Sequence, residues 1–186
     1  MSSLPILLPM PIGPSVAILR RPEPAARGNH VLAMDPGSKN FAWAVIDRKT
    51  GMPVKTGMLE VDLGKIDVID LQGSMQVIAG MLGDLQHECD TVVWERYQTR
   101  GKASMNNESV NLVIGGMVSM AMTMGYKLGN AVMPSYWKGW WHRTFKDEGK
   151  DPWIPFFTKA VPGPKTKTVH MRDACGIGYW FVKTEK

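Results

Sequence analysis

Cysteine is scarce: Cys89 and Cys175 are the two in a chain of 186 residues. Neither belongs to a CxxC pair, which argues against a zinc site or a disulfide framework and fits a reducing compartment. No apolar run reaches the roughly 18 residues of a membrane span. The apolar stretch from Leu4 to Leu19 lacks the basic start of a secretory signal, and Pro5, Pro9, Pro11 and Pro14 interrupt it. Negative charge is the minority: 17 Asp and Glu against 22 Lys and Arg leave a formal charge of +5 and a pI near 9.2. That balance favours a polyanionic partner, most simply nucleic acid.

A chain of this length is expected to form one domain with a core that needs no covalent staples. Six prolines between Pro5 and Pro24 rule out a helix at the start. Residues 1–28 are expected to be a disordered tail, with Arg20, Arg21 and Arg27 available to phosphate. The tail is too rich in proline for the amphipathic helix of an organelle presequence. Residues 29–186 form the expected domain. Most of the whole chain's 7 Trp and 14 Met belong to the core on this reading.

The stretch His30 to Asp47 organises that domain. Val31 to Asp35 and Phe41 to Asp47 are short apolar runs, read as two strands joined by a turn at Pro36-Gly37. Arg48-Lys49-Thr50-Gly51 supplies the next turn, and Val54 to Val61 a third strand with Gly57 at an edge or bulge. Ile66, Ile69, Val77, Ile78, Met81, Leu82 and Leu85 then recur at helical spacing over 66–88, and Asp90 ends that helix. Thr91 to Glu95 is a fourth strand, parallel to the first because a helix connects them. Asn107 to Met124 is a second helix with Leu112, Gly115, Gly116, Ser119 and Thr123 along one side. Leu128 to Met133 is a fifth strand, followed by the basic aromatic segment Ser135 to Arg143 and a long loop over 146–168. Val169 to Val182 closes the chain as a helix, docked on the sheet by Ala174, Ile177 and Phe181.

Four candidate metal ligands emerge from this arrangement: Asp35, Glu95, His170 and Asp173. Asp35 and Glu95 end adjacent parallel strands, where sites in α/β sheets gather. His170 and Asp173 share a face of the last helix, at its first turn. Each has a plainer reading: Asp35 as a cap of the Pro-Gly turn, Glu95 as a surface partner of Arg96 or Lys102, His170 and Asp173 as helix-terminus residues. Together, three crowded carboxylates need cations. Hard oxygen donors suit Mg2+, with Mn2+ as a substitute. Two such ions about 4 Å apart activate a water and stabilise a leaving oxygen in phosphodiester hydrolysis.

The element order and the placement of these acids resemble the ribonuclease H-like fold, a mixed five-stranded α/β sheet flanked by helices. Met34-Asp35-Pro36-Gly37-Ser38 with Ala42 to Ile46 resembles the first motif of RuvC-type Holliday junction resolvases. Val93-Trp94-Glu95 resembles their second acidic motif, and His170-Met171-Arg172-Asp173-Ala174 their last. Trp137-Lys138 falls where that family has a lysine near the active site. The resemblance covers about residues 30–183. The family's aromatic wedge would fall near Gln98, with Tyr97 or Tyr136 as substitutes. The Pro-rich tail and the long loop with Trp153, Phe156 and Phe157 depart from the family and suit a phage or organellar member.

The resemblance implies a Mg2+-dependent endonuclease, with two ions per active site, that cuts four-way DNA junctions by paired nicks. It implies a homodimer, with Asn107 to Met124 as the candidate dimer surface, and a cytoplasmic or host-cytoplasmic setting. Asp35 would bridge both ions; Glu95, His170 and Asp173 would complete their coordination. His170 would handle a proton and Lys138 would meet the scissile phosphate. Arg96, Arg100, Lys102, Arg143, Lys150, Lys165 and Lys167 would bind DNA phosphates, and Tyr97 or Tyr136 would stack on an unpaired base. The alternatives are a related nuclease acting on flaps or RNA–DNA hybrids, and a non-catalytic nucleic-acid-binding module.

Overall fold

The computed structural model describes residues 28–37, 39–61, 68–96, 105–144 and 165–185. The tail expected over 1–28 lies outside these residues up to residue 27, as does the loop from 145 to 164. Among the described residues, nine elements run in the order β1 (His30–Pro36), β2 (Asn40–Asp47), β3 (Pro53–Glu60), α1 (Val68–Leu85), β4 (Cys89–Glu95), α2 (Met105–Thr123), β5 (Lys127–Val132), α3 (Pro134–Thr144) and α4 (Lys165–Thr184). The strands form one sheet in the order β3-β2-β1-β4-β5. The first three are an antiparallel meander, and β4 and β5 continue it in parallel. The sheet is therefore the mixed five-stranded one that the sequence implies.

Alternation along β1 decides what each face carries. Leu32 and Met34 point to one side, where they meet Ile78, Leu82 and Leu85 of α1 and Val113 and Met117 of α2. Val31 and Ala33 point to the other, into a core shared with Ala42, Ala44, Val93, Trp137 of α3 and Ala174, Ile177 and Phe181 of α4. Asp35 has the parity of Val31 and Ala33, and Glu95 has the parity of Val93. Both carboxylates thus project from the face covered by α3 and α4. The parallel register pairs Ala33 with Val93 and Met34 with Trp94. Its next step brings Asp35 alongside Glu95.

Small residues let α4 lie close to the sheet. Ala33, Ala42 and Ala44 are fully buried beneath it. A Cβ on Gly178 of α4 would stand 2.4 Å from Ile46 Cγ1 and 2.8 Å from Ala33 Cβ. Two turns are fixed by backbone conformation. Gly51 (φ 79°) closes the β2–β3 hairpin, where Asp47 Oδ1 accepts hydrogen bonds from Thr50 N and Oγ1, and Gly125 (φ 77°) ends α2. Gly57 sits on the edge strand β3, where a side chain would meet the Trp43 ring at 2.5 Å.

Several expectations need correction. The first helix ends at Leu85, and Asp90 belongs to β4, held by Arg48 Nη2 at 2.5 Å. Val77 is 48% exposed, so the helical spacing overstated its buried face. The basic aromatic segment after β5 is a helix, with Pro134 at its first position, where proline's missing N–H costs nothing. The last helix starts at Lys165, earlier than Val169, so His170 and Asp173 lie inside it and cap nothing. The small side of α2 is split: Gly116 faces Met75 of α1, whose Sδ lies 2.5 Å from where its Cβ would be, whereas Gly115 opens to free space.

Substituting Gly178→Ala sets overpacking of roughly 1–3 kcal/mol against a helix-propensity gain of at most about 1 kcal/mol. Chemical denaturation is expected to show net destabilisation.

Candidate active site

The ends of β1 and β4 and the middles of α3 and α4 meet at one place. Asp35, 8% exposed, turns its Oδ2 to His170 Nδ1 at 2.9 Å. Lys138 of α3 donates to Asp173 Oδ2 at 3.0 Å, and its Nζ also lies 3.8 Å from Glu95 Oε1. The Trp137 indole N–H donates to the same Glu95 oxygen at 2.8 Å. All five residues expected to carry chemistry, Asp35, Glu95, His170, Asp173 and Lys138, are thereby gathered. The capping role open to Asp35 is not the one taken: its carboxylate crosses to α4, while the turn is closed by Gly37 N donating to Asn40 O at 3.0 Å. Among the described residues, no three of His, Cys, Asp and Glu already converge as a metal cage. An internal ammonium and an imidazole stand among the acids instead.

No protein-family model and no curated protein matches the sequence. Solved structures do. RuvC of T. thermophilus in complex with a Holliday junction substrate aligns over 84% of this chain and 96% of its own, with a TM-score of 0.61 and 12% identity. A further T. thermophilus RuvC structure aligns over 83% and 95%, at TM-score 0.56 and 13% identity. The yeast mitochondrial Holliday junction resolvase aligns over 87% and 80%, at TM-score 0.59 and 14% identity. This chain has the RuvC-type fold.

On that RuvC-type frame the electrostatics are unusual. Burial pushes the Glu95 carboxyl up, and the negative charges of Asp35 and Asp173 add to it against the Trp137 N–H and Lys138. Burial likewise raises Asp173, in spite of its bond from Lys138. Burial alone would lower Lys138, but the bond to Asp173 and the surrounding carboxylates raise it. His170 is raised chiefly by its hydrogen bond to Asp35. Carboxyls raised by burial and by one another, beside cations raised by them, are the pattern of like charges crowded in a partly buried place.

The expected DNA-contacting residues fare unevenly. Arg96 is exposed directly after Glu95, with its backbone N–H tied to Val132 O at 2.8 Å. Tyr136, 61% exposed, and Arg143 share α3 with Lys138. Tyr97, Arg100, Lys102 and Lys150 lie outside the described residues. Lys165 and Lys167 open α4, but their side chains lie outside them too. In the sequence Trp137 stands out only as the neighbour of Lys138, and Gly176, against which its ring packs, carries no signal. No periodicity signals such a contact, because the two residues are on different helices. Among the described residues no helix is long and apolar enough to cross a membrane.

Because folding raises the His170 pKa, its pairing with Asp35 contributes stability in full below the unfolded value of about 6.5. That contribution is lost as pH rises through the higher folded value. NMR titration of the metal-free protein is expected to place the His170 midpoint above the ordinary histidine value, and Asp35→Asn is expected to bring it down.

Proposed function

We propose that this chain is a metal-dependent DNA endonuclease that resolves four-way junctions by paired, symmetric nicks. The observation that carries this is that Glu95 and Asp173 share Lys138 while Asp35, next in register beside Glu95, pairs with His170, all at the carboxyl ends of two parallel strands. The RuvC-type fold supports the DNA substrate, since one of the similar structures is a complex with a Holliday junction.

Asp35, Glu95, Asp173 and His170 are the residues that would hold Mg2+, with Mn2+ as a substitute. Their donors fit: carboxylate oxygens are the hard ligands these ions take, and the ammonium shared by Glu95 and Asp173 marks a point where a cation is already favoured. When bound, the metal supplies the charge that activates a water and stabilises the leaving oxygen. The chain's own groups do the rest. Lys138, released from the carboxylates, contacts the scissile phosphate and stabilises the charge that develops there. His170, with Nδ1 engaged by Asp35, has Nε2 left, which would either complete the coordination or handle a proton, not both at once. Arg96, Arg143, Arg100, Lys102, Lys150, Lys165 and Lys167 bind phosphates, and Tyr136 or Tyr97 stacks on an unpaired base.

Symmetric nicks require two active sites related by a two-fold axis. The outer side of α2 suits that contact. Leu112 and Met122 are 45% and 49% exposed there, and nothing lies within 4 Å of a Cβ on Gly115 between them.

Cleavage of a synthetic four-way junction in Mg2+ is expected for the wild type, with linear duplex and RNA–DNA hybrid left intact. Asp35→Asn is expected to lose more than about 100-fold in rate, because even outer partners of metal ligands cost 10–100-fold. Junction binding in a gel shift is expected to survive. Cleavage of the hybrid in preference to the junction would reassign the substrate. Gly115→Arg enters open space, so the fold is expected to persist. Sedimentation is then expected to show a monomer, and paired nicks to fall to single ones.

A further inference from the structure

Trp137 touches the site with both its edge and its face. It is 4% exposed, near the start of α3. Its indole N–H donates to Glu95 Oε1 at 2.8 Å, and the Lys138 ammonium lies 4.8 Å from its ring centroid. The ring can sit there because residue 176 is glycine: a Cβ on Gly176 would stand 2.5 Å from Trp137 Cζ3, with two further ring atoms within 3.2 Å. A side chain at 176 therefore displaces the ring, and with it the donor.

We infer that Trp137 is a positioning residue that fixes Glu95 for the metal and seats Lys138, and that Gly176 makes its place. This rests on the reading of Asp35, Glu95, His170 and Asp173 as metal ligands. The chemistry separates Trp137 from Lys138. An indole N–H is a donor only, and neutral. It would keep its bond to the carboxylate with a cation bound there, whereas the Lys138 ammonium would be repelled. Glu95 would thus retain one fixed partner. The bond occupies one lone pair and leaves the other oxygen and the remaining lone pair for coordination. Partners of this kind orient a ligand and tune the metal's affinity. The face contact gives the Lys138 ammonium an apolar, weakly attractive neighbour in the metal-free site.

The test is Mn2+ binding by calorimetry on the full, metal-free chain without DNA. Trp137→benzothienylalanine keeps the bicyclic shape and replaces N–H by sulfur. It is expected to weaken Mn2+ binding ten- to hundredfold while the circular dichroism of the folded chain and its junction affinity stay at wild-type values. Gly176→Ala, with every polar group retained, is expected to weaken it in the same direction. The Trp137 indole N–H resonance is expected to shift on addition of Mg2+. Wild-type Mn2+ affinity in the benzothienylalanine variant overturns the inference and leaves Trp137 as core packing alone. Asp35→Asn is the control: if it binds Mn2+ as wild type does, the metal-ligand reading itself falls, and this inference with it.

Discussion

Three carboxylates from two strands and a helix share a volume that cannot hold their charges unaided, and Lys138 and His170 are what the chain supplies against them. The ammonium spans Glu95 and Asp173; the imidazole takes Asp35. Neither cation is well buried: the Lys138 and His170 side chains are 43% and 39% exposed, against 17%, 26% and 12% for the acids. Ion pairs with one partner this open contribute about 0–1 kcal/mol each. Burial still holds the Glu95 and Asp173 carboxyls above their ordinary values in spite of Lys138. Carboxylates disfavoured by burial and gathered at strand ends are what mark this place as the candidate site.

The rest of the molecule places that cluster. Period-two alternation puts Asp35 and Glu95 on one face of the sheet, and their parallel register sets them side by side. Alanines on that face and Gly178 on α4 bring the last helix down far enough for His170 and Asp173 to reach them. Pro134 starts α3 directly after β5, so that Trp137 and Lys138 come over Glu95 from the other side. On the opposite face, α1 and α2 bury a larger core, which includes Tyr126 bonded to Leu82 O at 2.6 Å. One face supplies cohesion and the other carries the candidate site.

The acids and their shared location were legible because they depend on short-range rules. Apolar runs that stop at Asp35 and Glu95, a crossover helix that makes β4 parallel to β1, and the three-residue spacing of His170 and Asp173 need no tertiary knowledge. What stayed hidden depends on contacts between elements distant in sequence. The helix α3 was obscured by its aromatic and basic composition, which has little helical periodicity. Helix α4 begins amid lysines and threonines that carry no apolar stripe. The division of Gly115 and Gly116 between solvent and Met75 follows from how α1 crosses α2, and the seating of Trp137 against Gly176 from how α3 meets α4. Neither crossing is written in the spacing of residues.

The most direct test of the account is the anomalous difference density of crystals soaked in Mn2+. The account predicts density bonded to oxygens of Asp35, Glu95 and Asp173, with Lys138 Nζ withdrawn from at least one carboxylate it holds in the metal-free state. Density confined to other parts of the surface, with Lys138 still bound between Glu95 and Asp173 at saturating Mn2+, would contradict it.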